Sequence, residues 1–298
     1  MANTTFSGAV RSENNFQVVS KNTTSGLIQD RTIHGGLKDS RRYYLEEWFK
    51  QLPKLNAVNI IDPDADDASA LALHVSANKD FEVLGTNMTS ALSTRNSTAA
   101  GIIITTAGAD QDQAILAPHL DSNQTAWTGT LWGTENQVSW ECSLNTNAID
   151  NQKLWAGLKL TNDQLIATDA NQAFFKFQTD ATNSEAFTDY TLLHFVHSIG
   201  GTDYISALPI TVAANTNYHL KIEFDSDRKM SIFVNGQQYN ITSTSGSTGG
   251  TAVTTGTTKS AAMTDDIDLI PYIGIEAGAA AAEAVDIHYQ CISRLIFE

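Results

Sequence analysis

Charge, cysteine and long apolar runs are all scarce in this chain, and each scarcity excludes something. Charged residues make up 17% of 298 residues, too few for long surface helices laced with ion pairs. Lys and Arg number 18 against 33 Asp and Glu, a net charge of -15. That balance argues against a nucleic acid or an anionic membrane bound through the whole surface. No apolar stretch reaches the roughly 18 residues of a membrane span. The opening "MANTTFSGAV" lacks the basic region and apolar core of a secretory signal, so the chain is expected in the cytosol of the cell that makes it. There are two cysteines, Cys142 and Cys291. Buried thiols are the expected state, and a disulfide is the other reading.

Familiar site motifs are missing as well. Neither cysteine lies in a CxxC pair and no HExxH occurs. "GSTGG" lacks the lysine and the strand–helix context of a phosphate loop, and there is no GxSxG elbow. No cofactor and no metal are therefore expected. "DPDADD" looks like a cation loop, but Asp67 and Leu73 stand where an EF-hand needs its glycine and its bidentate glutamate.

What is abundant is Thr, Ser, Asn, Ala and Gly, a mixture that favours strands and turns. Apolar content of 42% suffices for a sizeable core. Charge is unevenly placed: residues 1–54 carry a net +3 and the remainder a net -18. A mildly basic segment preceding an acidic body suggests an arm that meets a partner.

Residues 1–38 hold few apolar side chains, interrupted by glycines, and are expected as an extended arm ordered against something else. In "DSRRYYLEEWFKQLP" the residues Tyr44, Leu45, Trp48, Phe49 and Leu52 recur at helical spacing between a capping Asp39 or Ser40 and the stop at Pro53. This predicts a short amphipathic helix, packed on the chain's own body or on a partner. From Asp80 onward about a dozen short apolar runs alternate with turn residues. The expected organisation is an arm with a helix over 1–56, a linker over 57–79, and a two-sheet β-sandwich over 80–298. Residues 242–260, "TSTSGSTGGTAVTTGTTKS", are expected as a long exposed loop.

The stretch "NTNYHLKIEFDSDRKMSIFVNGQQYNI" offers the best catalytic candidates, Glu223, Asp225 and Asp227 at every second position. Glycosidases need two carboxyls on one face. Here Tyr218, Leu220, Ile222 and Phe224 form the apolar face, which turns Glu223 outward with His219 and Lys221 and leaves both aspartates in a turn. A solvated hairpin is the favoured reading, and no enzyme is expected. His194 and His197, three apart on a strand, point to opposite faces and cannot share a metal. Cys142 and Cys291 follow the alternations Trp140/Cys142 and Tyr289/Cys291, and both are expected in the core. Trp127 and Trp132 lie in the turn-rich "TAWTGTLWGTEN", where they either cover one end of the core or stack on a sugar ring.

The hairpin, with its aspartate-rich turn and "MSIFVNG", resembles concanavalin-like and laminin-G-like sandwiches. "TTFSGAVRSENNF", "FEVLGTN", "AGIIITTAGADQDQ", "PHLDSNQTAWTG", "WGTENQVSWEC" and "LIPYIGIEAGAAAAEAVDIHYQCISRLIFE" are similar to segments of virion structural proteins of tailed phages. This resemblance implies a capsid decoration (cement) or head-fibre protein on the outer surface of the virion. The implied partners are the major capsid protein and further copies of the chain, as a homotrimer on a local three-fold axis. Phe6, Phe16, Leu27 and Ile28 would anchor the arm, and Arg11, Arg31, Arg41 and Arg42 would pair with shell carboxylates. The alternative is a glycan-binding module on a head or tail fibre or on the head surface; a glycosidase comes third.

Overall fold

The structure is a computed structural model, and it describes residues 19–21, 28–30, 41–50, 52–55, 78–89, 92–118, 132–179 and 185–296. Its strands run in chain order as follows. A short pair, β1 (Val19–Lys21) and β2 (Ile28–Asp30), comes first, followed by β3 (Arg42–Glu47) and β4 (Pro53–Leu55). Next are β5 (Asn78–Gly85), β6 (Ser93–Arg95), β7 (Ile102–Thr105), β8 (Gln113–Pro118) and β9 (Ser139–Thr146). A meander follows: β10 (Gln152–Lys159), β11 (Gln172–Gln178), β12 (Leu192–Ile199) and β13 (Thr202–Thr211). The chain continues through β14 (Tyr218–Phe224), β15 (Met230–Val234), β16 (Gln237–Tyr239) and β17 (Thr251–Ala252), and ends in β18 (Ile270–Ala277) and β19 (Ala284–Leu295).

Two sheets result. One has nine strands in the order β17-β13-β12-β11-β10-β18-β8-β5-β4; the other has eight, β16-β15-β14-β9-β19-β7-β6 with β3 added against β19. Among the described residues β1 pairs with β2 alone. The all-β two-sheet sandwich read from the sequence is the fold class the structure has.

The eight-stranded sheet shows why alternation was readable. Along β9 and β14 every second residue is buried, which sends Trp140, Cys142 and Leu144, and Tyr218, Leu220, Ile222 and Phe224, into the core. In the nine-stranded sheet, β10, β11 and β18 are buried at every position. Both of its faces are covered, so burial alone does not distinguish them.

The helix expected over Asp39 to Pro53 is not formed. Residues 42–47 are instead strand β3, antiparallel to the end of β19, with Leu45 opposite Ile292 and Glu46 opposite Cys291. Pairing with a strand about 250 positions away supplies the backbone hydrogen bonds, and that outweighs a local spacing that also suited a helix. β3 ends at Glu47; two residues on, Phe49 with its φ of 50° turns the chain, and Glu47 Oε1 accepts a hydrogen bond from the Phe49 amide. The Phe49 ring is fully buried, edge-on to Phe81 with 5.7 Å between centroids. β4 then joins the other sheet beside β5, so β3 and β4 are both built into the sandwich.

A second expectation is overturned at β19. Its register with β9 slips between Ile287 and Tyr289, leaving His288 as the extra residue of a bulge. Beyond it Gln290 and Ile292 lie opposite Cys142 and Trp140 and face inward. Tyr289 and Cys291 lie opposite Ser143 and Glu141, on the outer face, where Trp48 packs on Tyr289 at 4.6 Å between centroids. Both cysteines are buried, on opposite sides of the sheet.

Candidate functional site

Polar chemistry concentrates on the outer face of the nine-stranded sheet. Strand register puts Lys153, Trp155, Gly157 and Lys159 of β10 on that face, next to Gln178, Lys176 and Phe174 of β11. On the other side of β10 they neighbour Glu276, Gly274 and Tyr272 of β18. Leu154, Ala156, Leu158, Phe175 and Phe177 take the alternate positions and face the core.

Three fully buried lysines on this face each meet a carboxylate. Lys153 pairs with Glu276, which also accepts from Gln113 Nε2 at 2.5 Å. Lys159 lies 3.3 Å from Asp169, donates to Gln172 Oε1, and sits 4.3 Å over the Phe174 ring. Lys176 donates to the backbone oxygen of Gln164 at 2.9 Å and to its Oε1 at 2.7 Å, with Glu185 at 3.7 Å. Burial holds the Lys159 ammonium below its usual range and brings Lys176 down to about 7.

These contacts fasten the covering segments. Gln172 Nε2 donates to the oxygens of Ile166 and Asp169 and to Ser198 Oγ. Glu185 Oε1 accepts from the Ile166 amide at 2.7 Å, and Gln178 Nε2 donates to the Glu185 carbonyl. The stretch from Gln164 to Asp169 is thus latched onto the sheet by side chains rising from β10 and β11.

Toward β18 and β8 the pattern changes. Trp155 Nε1, the Tyr272 hydroxyl and Gln113 Oε1 are buried without a hydrogen-bond partner among the described residues. Such groups cost free energy unless something satisfies them. The indole of Trp155 occupies the space over Gly274.

At the far side of this face His194 stacks on Phe187 at 3.9 Å, and Gly250 of the serine- and threonine-rich loop lies against it. Burial lowers the His194 pKa to about 4. His197 lies on the core side of β12, between Phe195 and Tyr204, and burial lowers it to about 3. The two histidines do point to opposite faces. The 242–260 loop is mostly exposed as expected, and β17 ties it to β13 in parallel.

The residues singled out from sequence are scattered. Phe6, Arg11, Phe16, Leu27, Arg31 and Trp127, and the "DPDADD" run, lie outside the described residues; Ile28 begins β2, opposite Lys21. Arg42 is used within the fold, donating to Gln137 O at 2.6 Å and to Ser293 O and Oγ, and the Arg41 carbonyl accepts from Ile296 N. Trp132 is buried and packs on Tyr43 at 5.8 Å, so it presents no face to a sugar.

The hairpin carboxylates divide between strand and turn: Glu223 lies on β14 and faces outward, and Asp225 and Asp227 lie in the turn that follows. Glu223 pairs with Lys221 at 2.6 Å. Asp225 accepts from the amides of Asp227 and Lys229 and from Lys259 Nζ, and hydrogen bonds from Lys259 and those amides hold its carboxyl below the usual range against the opposing effect of burial. Among the described residues no group of three or more His, Cys, Asp or Glu could hold a metal, and no helix is long and apolar enough to cross a membrane.

The sequence reading missed the lysine face. A signal was present in "AFFKFQT" and "LWAGLKL", where a lysine interrupts an otherwise apolar strand with aromatics beside it. Read by alternation, such a lysine looks solvent-facing.

No protein-family model matches the chain, and no curated protein sequence matches it. Solved structures with a similar fold include a protein of unknown function from Shewanella oneidensis MR-1, at 7% identity and TM-score 0.46, over 85% of this chain and 87% of that one. The potassium-bound carbohydrate recognition domain of Emp46p is similar at 9% identity and TM-score 0.43, over 81% and 95% of the two chains. A Bacillus licheniformis β-glucanase is similar at 11% identity and TM-score 0.41, over 72% and 92%. At these identities and scores the likenesses carry nothing about activity.

Proposed function

We propose that the chain is a non-enzymatic structural virion protein that decorates and stabilises a bacteriophage capsid. One observation carries the proposal. Among the described residues four large apolar side chains are more than a third exposed: Tyr43 at 38%, Trp48 at 41%, Leu52 at 37% and Ile296 at 45%. All four lie where the N-terminal segment enters the sandwich, around β3 and just past the end of β19. Apolar surface gathered at the root of a basic segment suits a docking edge.

The partner in this reading is the major capsid protein. Segment 1–38 lies across the shell through Phe6, Phe16, Leu27 and Ile28, with Arg11 and Arg31 on shell carboxylates, and the exposed edge packs behind it. The body, at net -18, faces solvent on the outer capsid surface. Assembly as a homotrimer multiplies the arm contacts through avidity.

The test is co-sedimentation with bare capsids. The full chain is expected to pellet with them, and a form lacking residues 1–38 to stay in the supernatant. A W48A/I296A variant is expected to bind at least about tenfold more weakly. Undiminished binding by both variants overturns the proposal.

A further inference from the structure

His194 is fully buried, yet no hydrogen bond reaches either of its ring nitrogens among the described residues. A buried imidazole in that state costs free energy, which the packing around it has to offset. The cover is a strap made of two segments. Residues 185–191 lay the Phe187 ring on the imidazole, with 3.9 Å between centroids and 18° between the planes. The serine- and threonine-rich loop brings up Gly250, where an added β-carbon would stand 3.4 Å from His194 Cδ2. The two segments hold each other: Thr188 N donates to Gly249 O at 2.9 Å, and Gly249 N donates to Ala186 O at 2.6 Å.

The charges near the ring come from two sides. On β11, Lys176 lies directly across from His194 and opposes a second cation. In the strap, Asp189 favours one, although its carboxylate already accepts from the amide and hydroxyl of Thr191. Glu185, also in the strap, lies 3.7 Å from Lys176 Nζ. From β13 the ring meets Ala207 and from the loop Gly250, neither of them charged. Burial outweighs the help from the Leu192 backbone and from Asp189, so the pKa falls to about 4 and the ring is neutral under its cover.

We infer that the strap over His194 is an acid-sensitive cover, which lifts as His194 takes a proton and frees residues 185–191 and the loop around Gly249 while both sheets stay intact. Lifting returns the ring to water and to its ordinary value near 6.5. The open form therefore holds the proton more tightly, and falling pH below about 6.5 shifts the balance toward it. From pH 7 to pH 5, above the range in which ordinary carboxylates titrate, His194 raises the opening constant roughly twentyfold. Lys176, brought to about 7 by burial, finishes gaining its proton over the same interval and adds at most about twofold. The inference rests on no reading of the function.

The experiment is amide hydrogen exchange on the full chain at pH 7 and pH 5, each corrected for the intrinsic exchange rate at that pH. The amides of Thr188 and Gly249 are expected to open at least about twentyfold more at pH 5, with those of β14 and β15 unchanged. In His194→Phe, which keeps a ring under Phe187, the gain is expected to fall to about twofold or less. His197→Phe, altered on the core side of β12, is expected to keep the full gain. A wild-type gain below about threefold overturns the inference, whether or not the variants fold. So does an equal gain in β14 and β15, because the whole fold then loosens rather than the strap. A full gain in His194→Phe, or its loss in His197→Phe, overturns the role given to His194.

Discussion

Trp155 stands over Gly274 on the neighbouring strand, and a β-carbon built on that glycine falls inside the indole. Gly274→Ala must therefore displace the ring or the strand. We expect a loss of about 1–3 kcal/mol, the usual cost of overpacking, read by urea denaturation. Placing Trp155→Ala in the same chain is expected to recover most of the Gly274→Ala increment. An additive double mutant would show that the ring is not what the glycine accommodates.

Phe49 tests whether the N-terminal strand belongs to the sandwich energetically as well as geometrically. Its ring is fully buried against Phe81. Phe49→Ala is expected to cost about 3–5 kcal/mol in chemical denaturation. A loss near zero would mean that β3 and the turn after it form a removable appendage.

His197 gives a pH dependence whose sign can be worked out. Its folded pKa, about 3, lies below the unfolded value near 6.5 because burial penalises the imidazolium. Between those values the unfolded chain binds more protons than the folded one, so stability falls as pH falls from about 6.5. His197→Phe keeps the stack between Phe195 and Tyr204 and removes the titration. The variant is expected to lose about 2 kcal/mol less than wild type between about pH 7 and pH 5. Equal losses would show that His197 is protonated in the folded protein.

Glu223→Gln is expected to change stability by less than about 0.5 kcal/mol, since its partner Lys221 is a surface pair. Hydrolysis of any glycan by wild type, abolished in this variant, would return the hairpin to the list of active sites.

The legibility of this chain depended on how many faces of a strand meet solvent. From Tyr218 to Phe224 one face is wet, so the sequence alternates and the hairpin, the outward Glu223 and the aspartate turn could all be read directly. In β10 and β11 both faces are dry, and the lysines look like solvent positions until Gln164, Asp169 and Glu185 fold over them. β3 was misread because Tyr44, Leu45, Trp48 and Phe49 satisfy a helical spacing, and the strand that claims them lies at the other end of the chain. Cys291 was placed in the core because no local feature marks His288 as a bulge; an extra residue there reverses every later side chain.

The pairing of β3 with β19 sets a timetable for synthesis. Arg42 and Ser293, hydrogen-bonded to each other, are 251 positions apart. β3 leaves the ribosome among the first of the strands and has no partner until the last one emerges. At about 5–20 residues per second it waits for tens of seconds with its apolar side chains uncovered. The eight-stranded sheet can close only once β19 has emerged, so any earlier attachment of the N-terminal segment would have to precede the finished fold.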